Sequence, residues 1–217
     1  MKTVGVLLAG CGVYDGVEIH EAVITLLALD RKGAEIVCMA PDVDQYHVVN
    51  HVTGEATEEK RNVLLESARV ARGEISDVAA VSADKLDALI IPGGFGAAKN
   101  LSNFAIKGKD ADVHPEVSRI INSMAEAGKP IGAICISPAV VTAALRHRRP
   151  EVTIGNDYET AEAIEAMEGV HKACKVDEIH MDEKNRIVTT PAYMLGPGIK
   201  DVAGGIEKLV DKVLSLL

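Results

Sequence analysis

Short apolar runs alternate with stretches of helical period, and that alternation is the tightest constraint on this chain. Thr3 to Ala9, Glu35 to Met39, Ala88 to Ile91 and Ile131 to Ile134 read as strands. Between them lie segments whose apolar residues recur every three or four positions. A strand, a helix and a second strand join as a right-handed parallel crossover. Parallel strands are buried on both faces, so they are apolar along their length. The core this implies is built from Val, Ile, Leu and Ala, since the chain has two Phe, four Tyr and no Trp. The expected fold is α/β with a mostly parallel sheet, and the active crevice of such a sheet lies beyond the carboxyl ends of its strands. With 217 residues, one domain over 1–217 is expected.

The helical stretches carry readable faces. Val17 to Lys32 places Ile19, Val23, Leu26 and Leu27 on one apolar stripe, and Gly33 ends it. Glu18 and Glu21 share a face of its first turns, where a helix dipole favours carboxylates even when they are merely solvated. Glu58 to Arg72 turns Val63, Leu64, Ser67, Ala68 and Ala71 inward, and Pro115 to Ala127 turns in Val117, Ile120, Ile121 and Met124. Tyr158 to Met167 is helical with Asn156 or Asp157 as cap, and Ile199 to Leu217 is a last helix weakened at Gly204-Gly205. Val43 to Glu55 reads as irregular and Ala105 to Val113 as an insertion loop. Val152 to Gly155 is a short strand, and Ile179 to Met181 with Ile187 to Thr190 form a hairpin about Asp182-Asn185.

A net charge of −9 makes nucleic acid a poor partner. The four cysteines, Cys11, Cys38, Cys135 and Cys174, show no Cys-x-x-Cys pair, so reduced thiols are expected rather than a zinc site or a disulfide framework. Leu8-Ala9-Gly10-Cys11 has the letters of a lipoprotein cleavage box. The apolar run before it is shorter than the roughly 7–15 residues of an export signal. No stretch approaches membrane-spanning length, and no membrane partner is expected.

Cys135 follows the strand Ile131–Ile134, and Pro138 then opens an apolar helical stretch. A cysteine on such a strand-to-helix turn is exposed to a ligand and sits among backbone N–H groups. The helix N-terminus favours its thiolate. The plainer alternative is a small core hydrophobe. Pro92-Gly93-Gly94 ends another strand, where glycines allow a close backbone approach, and the spacings of nucleotide-binding loops are absent. Attack of a thiolate on a carbonyl needs two aimed N–H donors, and the amides of Gly94 and Ile136 are the natural pair. A carboxyl group beside the sulfur, kept protonated by apolar surroundings, would shuttle protons.

Pro92-Gly93-Gly94 with Gly96 to Ser102, Ala133 to Pro138, and Gly16 to Val23 together resemble the ThiJ/PfpI superfamily along essentially the whole chain. Ala9 to Gly16, Asn50 to Glu55 and Thr189 to Met194 are similar to its enhancing-lycopene-biosynthesis branch, also called isoprenoid biosynthesis glyoxalase. The resemblance implies a flavodoxin-like, doubly wound sheet with helices on both faces, class I glutamine amidotransferase-like. It implies a nucleophilic Cys135 and a carboxylate partner on the first helix. Alignment to Gly33 favours Glu21, and Glu18 stays open. It further implies glyoxalase chemistry without glutathione on a small dicarbonyl aldehyde, glyoxal to glycolate or methylglyoxal to lactate, seen also as deglycase activity. No metal or organic cofactor is implied; a homodimer is, and the expected compartment is the cytoplasm. Gly93, Cys11, His20, His51 and Asn100 are the residues expected around the substrate.

Departures from related patterns narrow this. Protease-type members place histidine directly after the nucleophile, where this chain has Ile136. Amidotransferases use Gly-x-Cys-x-Gly, where Ala133 and Ser137 stand here. His114 reads as a helix start and His180 as a strand end. A second reading keeps the same cysteine in a redox-sensing or regulatory small-molecule-binding protein.

Overall fold

The computed structural model describes residues 1–217. In chain order the strands are β1 (Thr3–Leu7), β2 (Glu35–Ala40), β3 (Val48–Asn50), β4 (Glu55–Thr57), β5 (Ser76–Asp77) and β6 (Ala88–Ile91). They continue with β7 (Ile131–Ile134), β8 (Glu151–Val152), β9 (Val170–His171), β10 (His180–Asp182) and β11 (Ile187–Thr190). The helices are α1 (Ile19–Arg31), α2 (Val63–Val70), α3 (Phe95–Lys99), α4 (Phe104–Lys107), α5 (Pro115–Glu126), α6 (Ser137–Ala144), α7 (Tyr158–Ala166) and α8 (Ile199–Ser215).

The central sheet runs β10-β11-β7-β6-β1-β2-β5, parallel except for β10, which pairs antiparallel with β11. β6 and β7 are buried throughout, as are β1 after Thr3 and all of β11. These strands read as apolar runs for that reason: neither of their faces meets water. α1 packs on α8 over the sheet, and α5 packs on α6 over β6 and β7. The strand order reverses about β1, with β6 on one side and β2 on the other. In open α/β sheets the crevice outside such a switch point holds the ligand.

Several expectations change. The stripe predicted on α1 faces outward: Ile19, Val23 and Leu27 are exposed, whereas Glu21, Ala22, Ile24, Thr25, Ala28 and Leu29 are buried. The stretch read as irregular between Val43 and Glu55 holds β3 and leads into β4, a small antiparallel pair. α2 is shorter than its pattern, because Asn62 caps it by accepting from the Leu65 amide at 3.0 Å. Of the strand predicted over Val152 to Gly155 only Val152 is in one, β8 (Glu151–Val152), which pairs with β9 outside the main sheet. The loop expected at 105–113 includes the helical turn α4. Gly205 does not interrupt α8. A Cβ there would lie 2.5 Å from Thr190 Oγ1, so its smallness seats the helix on β11.

The remaining predicted elements are present. α5 buries Val117, Ile120, Ile121 and Met124 completely. His114 caps it by accepting from the Glu116 amide. Asp157 caps α7, and Asp182 accepts from the Asn185 amide inside the β10–β11 turn. No helix is long and apolar enough to cross a membrane.

Candidate active site

Cys135 sits directly after β7 with φ of 62°, in the left-handed region that few non-glycine residues adopt. Its own amide donates to Thr190 O at 3.0 Å, which anchors the turn to β11. Ser137 Oγ donates to Pro92 O at 2.7 Å and ties the turn to the loop after β6. α6 begins at Ser137 with Pro138 in its first turn. The amides of Gly94 and Ile136 both hydrogen-bond the Cys135 sulfur. The pair expected to stabilise an oxyanion is thus assembled at the thiol.

Gly93 and Gly94 are fixed by close approach. A Cβ on Gly93 would lie 2.5 Å from the Cys135 Cβ and 2.7 Å from a Glu21 carboxylate oxygen. Gly94 has φ of 93°, and a Cβ there would strike the Glu18 amide at 2.3 Å. Gly93 therefore lies beneath the cysteine instead of facing substrate. Its carbonyl accepts from the Glu18 amide at 2.9 Å and its amide donates to Glu21 Oε2 at 2.8 Å.

Those two bonds separate the two candidate carboxylates. Glu18 caps α1, accepting from the Glu21 amide at 2.7 Å. Glu21 is fully buried and hydrogen-bonds Cys135, Gly93 N–H and, at 3.3 Å, Tyr193 N–H. Burial, reinforced by the Glu18 charge, raises the Glu21 pKa to about 8. Cys135 is pushed well above the ordinary thiol range, by burial first and by the Glu21 charge second. This corrects the expectation of a thiolate favoured by the helix N-terminus alone: the Gly94 and Ile136 amides pull the thiol down, but burial outweighs them. A protonated Glu21 removes the repulsive charge and leaves a hydrogen bond to sulfur, so the two groups hold their protons as a pair.

A cavity of about 370 Å³ opens over the sulfur, lined by Cys135, Gly94, Ile136, Glu18, Asp157 and Tyr193 with Val13, Phe95, Thr160 and Met194. Among the residues expected around substrate, His20 reaches only its rim, where Nδ1 is 2.7 Å from the Tyr193 hydroxyl. Asn100 is a buried staple. Its amide donates to Ala9 O and Asp15 O, and its carbonyl accepts from Tyr46 N–H, which leaves no N–H for a ligand. His51 closes the β3–β4 turn against the first loop, bonding Tyr14 N and Val49 O. Cys11 is half-buried beside Glu66, Arg69 and Asp15, outside the cavity, and burial raises its pKa. These three serve the loops around the site, not its interior.

Tyr193, Asp157 and Thr160 join the cavity wall only in the fold. Tyr193 lies inside the Thr189 to Met194 motif, a signal that was available. Asp157 was legible only as a helix cap, because its approach to Cys135 depends on how α7 docks.

The model of the DJ-1/PfpI family matches residues 9–191. The human glutamine amidotransferase-like class 1 domain-containing protein 3, mitochondrial, is 50% identical over 98% of this chain and 82% of that protein. The crystal structure of an isoprenoid biosynthesis protein with amidotransferase-like domain from Ehrlichia chaffeensis superposes with a TM-score of 0.92 at 41% identity, covering 99% of this chain and 100% of the other. Glyoxalase III from Candida albicans shares the fold with a TM-score of 0.62 at 13% identity, over 99% of this chain and 96% of its own. The cytoplasmic placement expected from sequence is overturned by the human relative, which is a mitochondrial protein.

Proposed function

This chain belongs to the DJ-1/PfpI family, and on that premise we propose that it is a glutathione-independent glyoxalase acting through Cys135 and Glu21. The observation that carries the reading is the fully buried Glu21 carboxyl on the Cys135 thiol, with the Gly94 and Ile136 amides on the same sulfur. The sulfur adds to one aldehyde carbon of glyoxal, and the oxygen that takes up the electron pair is held by those two amides. The thiol proton leaves to solvent as the sulfur adds, and Glu21 gives its own proton to that oxygen. As a carboxylate Glu21 then takes the hydrogen of the same carbon as a proton and returns it to the neighbouring carbon through an enediol, while the hydroxyl proton passes to the second oxygen; solvent reprotonates Glu21 at the end of the cycle. The product is a glycolyl thioester on Cys135. Water hydrolyses it to glycolate and restores the thiol. The substrate carbons are oxidised and reduced internally, so the balance needs only water. Methylglyoxal gives lactate by the same steps, and deglycase activity is the same chemistry on an amine adduct.

The redox-sensor alternative asks for a low-pKa, open thiol. Burial of Cys135 and its upward shift weigh against it. A homodimer is supported by the exposed apolar stripe Ile19, Val23 and Leu27 on α1. The mitochondrial human relative supports a mitochondrial setting for the proposed activity.

The test is glyoxal consumption and glycolate formation without glutathione. Cys135→Ala and Glu21→Gln should each lose about 10²–10⁴-fold in rate while remaining folded. The parent's kcat/KM should fall as pH rises through about 8, where Glu21 loses the proton it must deliver. Equal rates for parent and Cys135→Ala would end the reading.

A further inference from the structure

We propose that the cavity over Cys135 selects carbonyl compounds by charge, admitting uncharged and ammonium-bearing aldehydes and turning away those that carry a carboxylate or another anion. This names the substrate class of the site described above and rests on Cys135 as its reacting group. The lining contains two acidic side chains, Glu18 and Asp157, and no lysine, arginine or histidine. Both acids are held in place. Glu18 caps α1 and Asp157 caps α7, the latter accepting from Thr160 N–H at 2.8 Å. The Thr160 hydrogen bonds also hold Asp157 below the ordinary carboxylate range, so it is anionic at neutral pH. Burial first and the Glu18 charge second raise both Glu21, beneath the cavity, and Tyr193 in its wall.

The nearest bases offset them only weakly. His20 lies outside the lining, half-exposed, with Nδ1 2.7 Å from the Tyr193 hydroxyl and 3.9 Å from Glu18 Oε1, so only its protonated form faces that charge. Lys99 lies 4.8 Å from the Phe95 ring, but its ammonium is engaged by Tyr14 O and His47. A cleft of one sign between low-dielectric walls concentrates counter-ions and repels co-ions, and the net charge of −9 adds to that field. Phe95 and Tyr193 present aromatic surface, which tolerates an ammonium group far better than a carboxylate.

The experiment separates charge from chemistry. The full chain is treated at low salt with 2-aminoethyl, methyl and 2-sulfonatoethyl methanethiosulfonate, which are cationic, neutral and anionic. Labelling of each cysteine is followed by peptide mass. Cys174, half-buried on a loop beside two acids and two lysines, is the internal reference. The cation-to-anion rate ratio at Cys135 should exceed that at Cys174 by about tenfold, and shrink with added salt. Asp157→Asn keeps an oxygen to cap α7 and should narrow the excess by about threefold. A ratio at Cys135 equal to that at Cys174 overturns the proposal. So does a Cys135 that none of the three reagents reaches while Cys174 is labelled. Loss of glyoxal turnover with the charge order intact overturns the glyoxalase reading alone, and turnover with a flat order overturns the charge selection alone.

Discussion

Helices α1 and α5 are nearly equal in length, and both lie against the central sheet, yet they treat their apolar residues in opposite ways. α5 follows its periodicity and buries Val117, Ile120, Ile121 and Met124 completely. α1 turns Ile19, Val23 and Leu27 out, each more than 40% exposed, and buries Glu21 and Thr25 completely. The Thr25 hydroxyl is satisfied by Glu21 O at 2.7 Å, but the Glu21 carboxyl must give up water and stay protonated to remain there. A helix that only packs obeys the pattern of its sequence. A helix that holds a buried carboxyl against Cys135 violates it, and the violation marks the candidate site.

The contrast can be broken by mutation. Glu21 keeps its proton up to about pH 8 when folded, but only up to its ordinary 4.5 when unfolded. The folded state binds more protons throughout that window, so the parent should lose stability as pH rises from 4.5 to 8 and lose no more above it. Glu21→Gln should remove that slope and be more stable than the parent by several kcal/mol at pH 9, measured by urea unfolding at several pH values. Ile120→Ala on α5 should do the reverse, losing about 3 kcal/mol at any pH while leaving the folded fraction active. Val23→Ser on α1 should change the stability of one copy by only about 0.5 kcal/mol. Its expected effect is on sedimentation mass, shifting a dimer toward single copies. An unchanged mass would detach the exposed stripe from assembly.

How much of this was legible follows from the same contrast. The apolar strands, the turn at Cys135 and the glycine loop at 93–94 are encoded locally, in residue types that leave few other backbones open. α5 is legible because its burial is the whole of its role. The inward turn of Glu21 is not legible from period, because Ile19, Val23, Leu26 and Leu27 form the better stripe; only the family motif, aligned to Gly33, favours Glu21 over Glu18. Choosing the Glu21 face depends on Gly93 and Tyr193, which are 72 and 172 residues away. The Asn100 staple is hidden for the same reason: its partners Ala9, Asp15 and Tyr46 meet it only once the loops have closed. The β3–β4 pair is too short, at three residues a strand, to carry a period of its own.

The left-handed backbone at Cys135 bears on how this chain can change over generations. Such a conformation typically costs a non-glycine residue about 1 kcal/mol or more, and glycine occupies it freely. Folding alone would therefore favour glycine at position 135. Any lineage released from the chemistry can drift there in one residue change and gain a more durable scaffold, with the Gly94 and Ile136 amides still converging on an empty socket. The sulfur persists only where selection renews it, so a relative of this fold with glycine at the elbow is expected to have kept the architecture and given up the reaction.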